Sequence, residues 1–107
     1  MPPAASKDVF RAVADPTRRR ILDLLAESEQ SVGELVLRFS MSQPAISQHL
    51  RVLYDAGLVG RHREGRLKKY RLRPERLRRV HDWSAHYAHF WTDKLGALGR
   101  YLDKPDH

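Results

Sequence analysis

At Gly57 the sequence changes its period. Upstream of it, apolar residues recur at helical steps of three and four. Downstream, two short β-compatible runs, 58–63 and 67–73, flank Glu64-Gly65-Arg66, a hairpin signal. A chain that closes a helix with a glycine and goes straight into a hairpin has few folds open to it. The upstream half is punctuated just as clearly. Ser6 with Val9, Phe10 and Val13 predicts a short capped helix ending near Ala14. Asp15-Pro16 restarts the chain with an N-cap and a proline where a missing N–H costs nothing, and Ile21, Leu22, Leu24 and Leu25 form the stripe of a second helix. That helix decays into Glu27-Ser28-Glu29-Gln30. Ser31-Val32-Gly33-Glu34 has the spacing of a capping box and opens a third helix carrying Leu35, Val36 and Phe39. After Ser40-Met41-Ser42 a fourth helix runs from about Gln43 to Ala56, with Gly57 where a left-handed C-cap belongs. Pro74 opens a last helix reaching to about Leu102.

Two short helices, a tight turn and a hairpin make a helix-turn-helix with a wing. The expected class is mainly α with a small β-hairpin, in the order α-α-α-α-β-β-α. One domain is expected over 6–102, with 1–5 and 103–107 frayed; a length of 107 residues suits a single core.

The fourth helix separates into two faces. With Ile46 as the zero direction, Leu50 and Leu53 fall within about 40° of it. Pro44, Ser47, Gln48, Arg51 and Asp55 point the other way. A structural surface helix more often carries Glu and Lys pairs at i,i+4. Short hydroxyls, amides and one guanidinium are instead the groups that read base edges in a major groove. Ser42, Gln43, Ser47, Gln48 and Arg51 are therefore the candidate reading residues, Arg51 equally suited to phosphate, while His49 lies toward the core side.

Charge points the same way. The chain carries a formal +7, but residues 61–80 alone hold ten basic side chains against Glu64 and Glu75, net +8, whereas 1–40 are neutral. A block of that kind is a footprint for a polyanion, although charge by itself also suits a solvated basic face. Arg61, Arg63, Arg66, Lys68 and Lys69 cluster about the hairpin tip and are expected on phosphates or in a minor groove. Leu67, Tyr70 and Leu72 are expected to pack beneath them.

Ala14-Asp15-Pro16-Thr17-Arg18-Arg19-Arg20-Ile21-Leu22, then Ser42-Gln43-Pro44-Ala45-Ile46-Ser47-Gln48-His49-Leu50, Ala56-Gly57-Leu58-Val59, and Arg63-Glu64-Gly65-Arg66 through Tyr70 resemble the ArsR/SmtB family. These are dimeric winged helix-turn-helix repressors of bacteria and archaea, and the likeness spans roughly residues 8–102. It implies a homodimer closed by the first and last helices, with the 43–56 helix in the major groove and the hairpin as wing.

The last helix can be read without that likeness. Leu77, Val80, Trp83, Tyr87 and Phe90 recur at steps of three and four, and Trp91, Leu95, Leu98 and Leu102 continue the stripe. Five of the nine aromatics lie between Trp83 and Tyr101. So broad an apolar face exceeds what a small monomer can cover, and a two-fold copy is the economical partner. Phe10, Val13, Val80, Trp83, Tyr87, Phe90, Trp91, Leu95 and Leu98 are the candidate interface.

Many relatives in that family sense metals. The cysteine site they place in the helix equivalent to 32–39 is absent here, since the chain has no cysteine. Another family site joins an Asp-x-His pair to a downstream His-x-x-His. His86 and His89 have the latter spacing, which suits an ion. The upstream half is missing, for Glu75 and Arg73 stand there. His81 and Asp82 offer ligands at a different spacing. Ni²⁺, Zn²⁺ or Co²⁺ suits such imidazole–carboxylate donors, but Asp82 and His86 also fit a plain hydrogen-bonded pair, and interface histidines can act through pH. No cofactor is assigned from these residues.

The remaining classes are narrowed by what is missing. There is no Gly-rich phosphate loop, no thiol and no evident Ser-His-acid set, so an enzyme is not expected. No stretch approaches the ~20 apolar residues of a membrane span, and no leader is evident in Met-Pro-Pro-Ala-Ala-Ser-Lys, so a cytoplasmic protein is expected. The reading is a homodimeric, sequence-specific repressor on double-stranded DNA with a palindromic operator, its effector unassigned. The rival is a basic architectural or RNA-binding protein that grips without reading.

Overall fold

The computed structural model describes residues 8–91 of the chain. Helix α1 (Val9–Val13) leads into α2 (Pro16–Glu27), a two-residue strand β1 (Gln30–Ser31), α3 (Val32–Val36), α4 (Gln43–Asp55), the hairpin β2 (Val59–Glu64) and β3 (Leu67–Leu72), a 3₁₀ turn at Pro74–Leu77, and α5 (Arg78–Ala85). Helix resumes over 88–91. This is the mainly helical winged helix-turn-helix that the pattern predicts.

Caps set the boundaries. The Asp15 carboxylate accepts from the Arg18 N–H at 3.0 Å, with Pro16 in the first turn. The capping box is complete: Ser31 Oγ accepts from the Glu34 N–H and Glu34 Oε1 from the Ser31 N–H, at 3.2 and 2.7 Å. Ser42 Oγ accepts from the Ala45 N–H at 3.2 Å, opening α4. At its other end Gly57 takes φ +78°, and the Leu58 and Gly57 amides donate to the carbonyls of Leu53 and Tyr54. That paired closure needs a residue free of a Cβ. The first helix departs from expectation, because its N-cap is Asp8, which accepts from the Phe10 N–H at 2.8 Å. Ser6 lies outside the described residues.

The core draws on α1, α2, α3, α4 and both strands of the hairpin. Val9, Ile21, Leu24, Leu35, Ile46, Leu50, Leu53, Leu58 and Val59 are all but sealed from solvent. Each such aliphatic side chain contributes about 1.5–3 kcal/mol on burial. The underside of α4 is thus anchored by Ile46, Leu50 and Leu53, the three residues expected there. Val13, Leu77 and Val80 pack on the margin of this core. Val13 and Val80, expected between subunits, are therefore partly covered by their own chain, because an apolar stripe marks a buried side without saying which chain buries it.

Two further differences concern backbone. The sheet has three strands in the order β1-β3-β2, not two: Gln30 pairs with Tyr70 and Ser31 with Lys69. A two-residue strand has no period to detect, and it exists because β3 offers it an edge. The last helix, expected unbroken from Pro74, begins as a 3₁₀ turn and is interrupted at 86–87. There the His86 and Tyr87 amides bond three residues back, to Trp83 and Ser84. His86 Nδ1 lies 3.1 Å from the Trp83 carbonyl, the acceptor that the Tyr87 amide would use in an α-helix. Leu95, Leu98 and Leu102, and the termini expected to fray, lie outside the described residues. No helix among the described residues is long and apolar enough to cross a membrane.

Candidate nucleic-acid interface

The outer side of α4 and one side of the hairpin line a single open groove. Pro44, Ser47, Gln48 and Arg51 form its helical wall, and Arg61, Lys68 and Tyr70 the strand wall, with Val32 at its end. Sheet register explains which hairpin residues take part. Arg61 stands opposite Tyr70 and Arg63 opposite Lys68, while His62 stands opposite Lys69 and Glu64 opposite Leu67. Side chains alternate along a strand, so Arg61, Arg63, Lys68 and Tyr70 share the face toward α4, and His62, Glu64, Lys69 and Arg71 share the other.

The structure therefore brings together most of the expected residues but divides the wing. Ser42, Gln43, Ser47, Gln48 and Arg51 are all exposed along α4. Ser42 Oγ is already engaged as the cap. Arg51 Nε lies 3.4 Å from Asp55 Oδ2, yet its side chain remains 70 % exposed. The Arg61 guanidinium sits over the Tyr54 ring, 3.9 Å from its centroid, which holds its planar group beside the helix. Arg66 is exposed at the tip beside Gly65, whose φ of +65° permits the tight turn. Lys69 belongs elsewhere. It lies 3.6 Å from Glu34 and 4.0 Å from Glu64, on the far face, with its side chain only 18 % exposed. The two-residue alternation that places Lys68 on one face puts Lys69 on the other. Leu67, expected beneath the hairpin, is instead exposed near the tip, whereas Tyr70 is buried.

Tyr54 and a second concavity were not anticipated. Tyr54, Asp55, Gly57 and Val59 form this hollow with Arg73 and Arg76. Arg76 lies so close to Gly57 that a Cβ there would stand 2.8 Å from its Cδ. Gly57 signals the left-handed turn that ends α4, but not the arginine lying against it.

Behind α4 lies a polar junction. Arg18 Nε donates to the Ala12 carbonyl at 2.7 Å, its Nη2 to Arg11 at 3.1 Å, and its Nη1 stands 3.2 Å from His49 Nδ1. An arginine only donates, so Nδ1 of His49 accepts and the ring proton sits on Nε2. Burial raises the Asp15 carboxyl, but the hydrogen bond from the Arg18 amide and the Arg18 charge outweigh it, and the group titrates below its ordinary range.

The expected metal ligands do not converge. His81 Nδ1 lies 3.4 Å from its neighbour Asp82, whose carboxylate also faces Arg78 at 3.8 Å. His86 faces the Trp83 carbonyl, and the His89 ring lies 4.1 Å from that of Phe90. These side chains are engaged locally instead of being gathered on one point. Among the described residues the histidine and carboxylate groups that do gather are Glu29, His62 and Glu64, on the far face of the hairpin. His62 Nε2 is 2.7 Å from Glu29 Oε1. That hydrogen bond raises the imidazole above its ordinary value and lowers the Glu29 carboxyl.

An aromatic surface lies away from the groove. Phe10 and Trp83 meet edge to face at 5.8 Å, as do Trp83 and Tyr87. Yet Phe10, Trp83, Tyr87, Phe90 and Trp91 remain 41–62 % exposed. Exposed aromatics in such number, three of them in contact, mark an interaction surface.

Comparison with known proteins gives this arrangement a context. The model of the family described as "Bacterial regulatory protein, arsR family" matches residues 15–60, from the cap of α2 into β2. The transcriptional repressor SdpR of Bacillus subtilis (strain 168) is 38 % identical over 80 residues, which cover 75 % of this chain and 89 % of that protein. The crystal structure of a possible transcriptional regulator for arsenical resistance superposes with a TM-score of 0.65 at 45 % identity, over 82 % of this chain and 88 % of the other. The solution structure of the homodimeric winged helix-turn-helix DNA-binding domain Mb0332 from Mycobacterium bovis superposes with a TM-score of 0.62 at 32 % identity, over 80 % and 78 %.

Proposed function

The chain belongs to the ArsR family of bacterial regulatory proteins, and on that premise we propose that it is a homodimeric transcriptional repressor that reads a two-fold operator. The family is one of transcriptional regulators, not enzymes. The observation that carries the reading is the shared groove: uncharged hydrogen-bonding groups on α4 face the same space as guanidinium and ammonium groups on the hairpin. Ser47 and Gln48, flanked by Gln43 and Arg51, contact base edges. Arg61, Arg63, Arg66 and Lys68 hold phosphates or enter the adjacent minor groove, whereas Lys69 serves the fold through Glu34 and Glu64.

The exposed aromatics of α1 and the last helix supply the two-fold contact, as the homodimeric relative supports. Two recognition helices then meet the duplex about one turn, ~34 Å, apart. Bound there, the dimer represses by occluding polymerase. We take residues 6–102 as one functional unit, since the core and its margin draw on elements from α1 to α5.

Selection of duplexes from a random pool tests this directly. The expected product is a palindromic consensus that the protein prefers to random duplex, and Gln48→Ala should reduce affinity for that consensus by about 1–3 kcal/mol while leaving random duplex unaffected. A pool that yields no consensus, with equal affinity for all duplexes, would favour a non-specific basic binder instead.

A further inference from the structure

A base-reading helix discriminates only as well as its angle is fixed. Ile46, Leu50 and Leu53 seat α4 on the core, but apolar contact is non-directional. Burying one stripe fixes the roll of the helix about its own axis only coarsely. Directional bonds can define that roll. Among the described residues, one side-chain hydrogen bond reaches α4 from another element: Arg18 Nη1 to His49 Nδ1, at 3.2 Å.

The other end of that bond is unusually well held. Arg18 belongs to the first turn of α2, where its own amide is fixed by Asp15. Its guanidinium spans the carbonyls of Arg11 and Ala12 at the end of α1, the Arg11 carbonyl also accepting from the Ala14 amide. Three of its donor positions are thus committed to three acceptors, in a planar fork whose geometry cannot be re-aimed for one acceptor without losing the others. His49 follows Ser47 and Gln48 directly. Those residues project into the groove, while the His49 ring points back and is half-buried.

We propose that Arg18 and His49 are a positioning pair for base reading, a strut that touches no base and sets the roll at which Ser47 and Gln48 meet one. The pair thereby ties the reading helix to α1, the element that carries Phe10 of the aromatic surface. The proposal rests on α4 being the reading element, so its test needs one measurement without DNA.

His49→Phe keeps a ring but removes the acceptor, and His49→Asn places an amide oxygen near the site of Nδ1. Arg18→Lys keeps the charge but cannot span three acceptors. Affinity is measured on the selected duplex and on random duplex, alongside thermal unfolding. Amide hydrogen exchange over 45–51 is measured in the free protein. His49→Phe and Arg18→Lys are each expected to weaken selected-duplex binding about tenfold, the scale of one misplaced base contact, with random-duplex binding unchanged. The double variant should lose no more than the worse single one, because both remove the same bond. His49→Asn should behave as wild type, and exchange over 45–51 should quicken in His49→Phe but not in His49→Asn.

Equal losses on both duplexes, additive losses in the double variant, or His49→Asn failing like His49→Phe would overturn the strut. Were the wild type to show no preference among duplexes, the base-reading role would fall. Hydrogen exchange would still decide the strut: faster exchange in His49→Phe alone supports it, and unchanged exchange overturns it.

Discussion

The two walls of the groove are built on opposite plans. The α4 wall offers neutral hydroxyls and amides, with one guanidinium that already has Asp55 beside it, and rests on three sealed aliphatic residues and two caps. The hairpin wall offers Arg61, Arg63, Arg66 and Lys68, and only its base is buried, through Val59 and Tyr70. The contrast follows from what each wall is proposed to do. Hydrogen bonds to base edges depend on angle and distance, so their bearer has to be rigid. Attraction between a guanidinium and phosphate falls off slowly and tolerates movement, so its bearer can be a hairpin with a free tip.

Breaking the rigid wall should have the largest effect. Leu50→Ala empties a fully buried site under α4 and is expected to lower unfolding free energy by about 2–5 kcal/mol, read from urea denaturation. A loss below 1 kcal/mol would mean that α4 is not seated on its aliphatic side. The charged wall should fail in a different currency. Arg63→Gln with Arg66→Gln is expected to leave stability almost untouched. It should weaken binding to selected and random duplexes alike and reduce the slope of log affinity against log salt by about 2, one for each lost phosphate contact. An unchanged slope would remove the hairpin tip from the interface.

Smaller effects separate the walls further. Ser42→Ala deletes the cap of α4 and should cost about 1 kcal/mol of stability in thermal unfolding, more than any single exposed arginine of the hairpin. A neutral result would show that the turn before α4, not the hydroxyl, sets its start. The weakest effect is one of pH. His62 is raised from 6.5 first of all by its hydrogen bond to Glu29, so its contribution is complete at low pH and fades as pH rises through the folded value. Glu29 is lowered from 4.5 first of all by the same bond, so its contribution is complete above that value and fades as pH falls through the folded one. The far face of the hairpin is therefore held best between about 4.5 and 6.5 and loosens above. Amide protection factors over 59–64 and 67–72 should fall as pH rises through the titration of His62, and Glu29→Gln should abolish the trend. The same trend in Glu29→Gln would assign it to another group.

Local chemistry made most of the helical half legible. Asp15-Pro16, the capping box at Ser31, Ser42 and Gly57 act within a few residues of themselves, and each stands where its pattern predicts. The apolar side of α4 was equally plain, because its period is that of one helix. Legibility ended where partners are distant in sequence. Arg18 and His49 are 31 residues apart with no spacing to announce them. Gln30 and Ser31 form a strand only because β3 lies beside them. Val13 and Val80 showed that they are apolar, not whose core they join. Lys69 is a different case: strand alternation carried the signal, and grouping it with Lys68 by charge passed over it.

Ser31 serves two elements at once. It pairs with Lys69 as the end of β1, and both its backbone amide and its hydroxyl complete the capping box of α3. The stretch from 30 to 34 consequently has no slack, since a residue added between 30 and 31 would shift the strand pairing and one added between 31 and 34 would break the capping box. The hairpin tip has no such obligation, for nothing lies within 4 Å of a Cβ built on Gly65. Insertions and deletions among chains of this design should collect at that tip and avoid the neighbourhood of Ser31, so that the reach of the wing can vary while the seat of the reading helix does not.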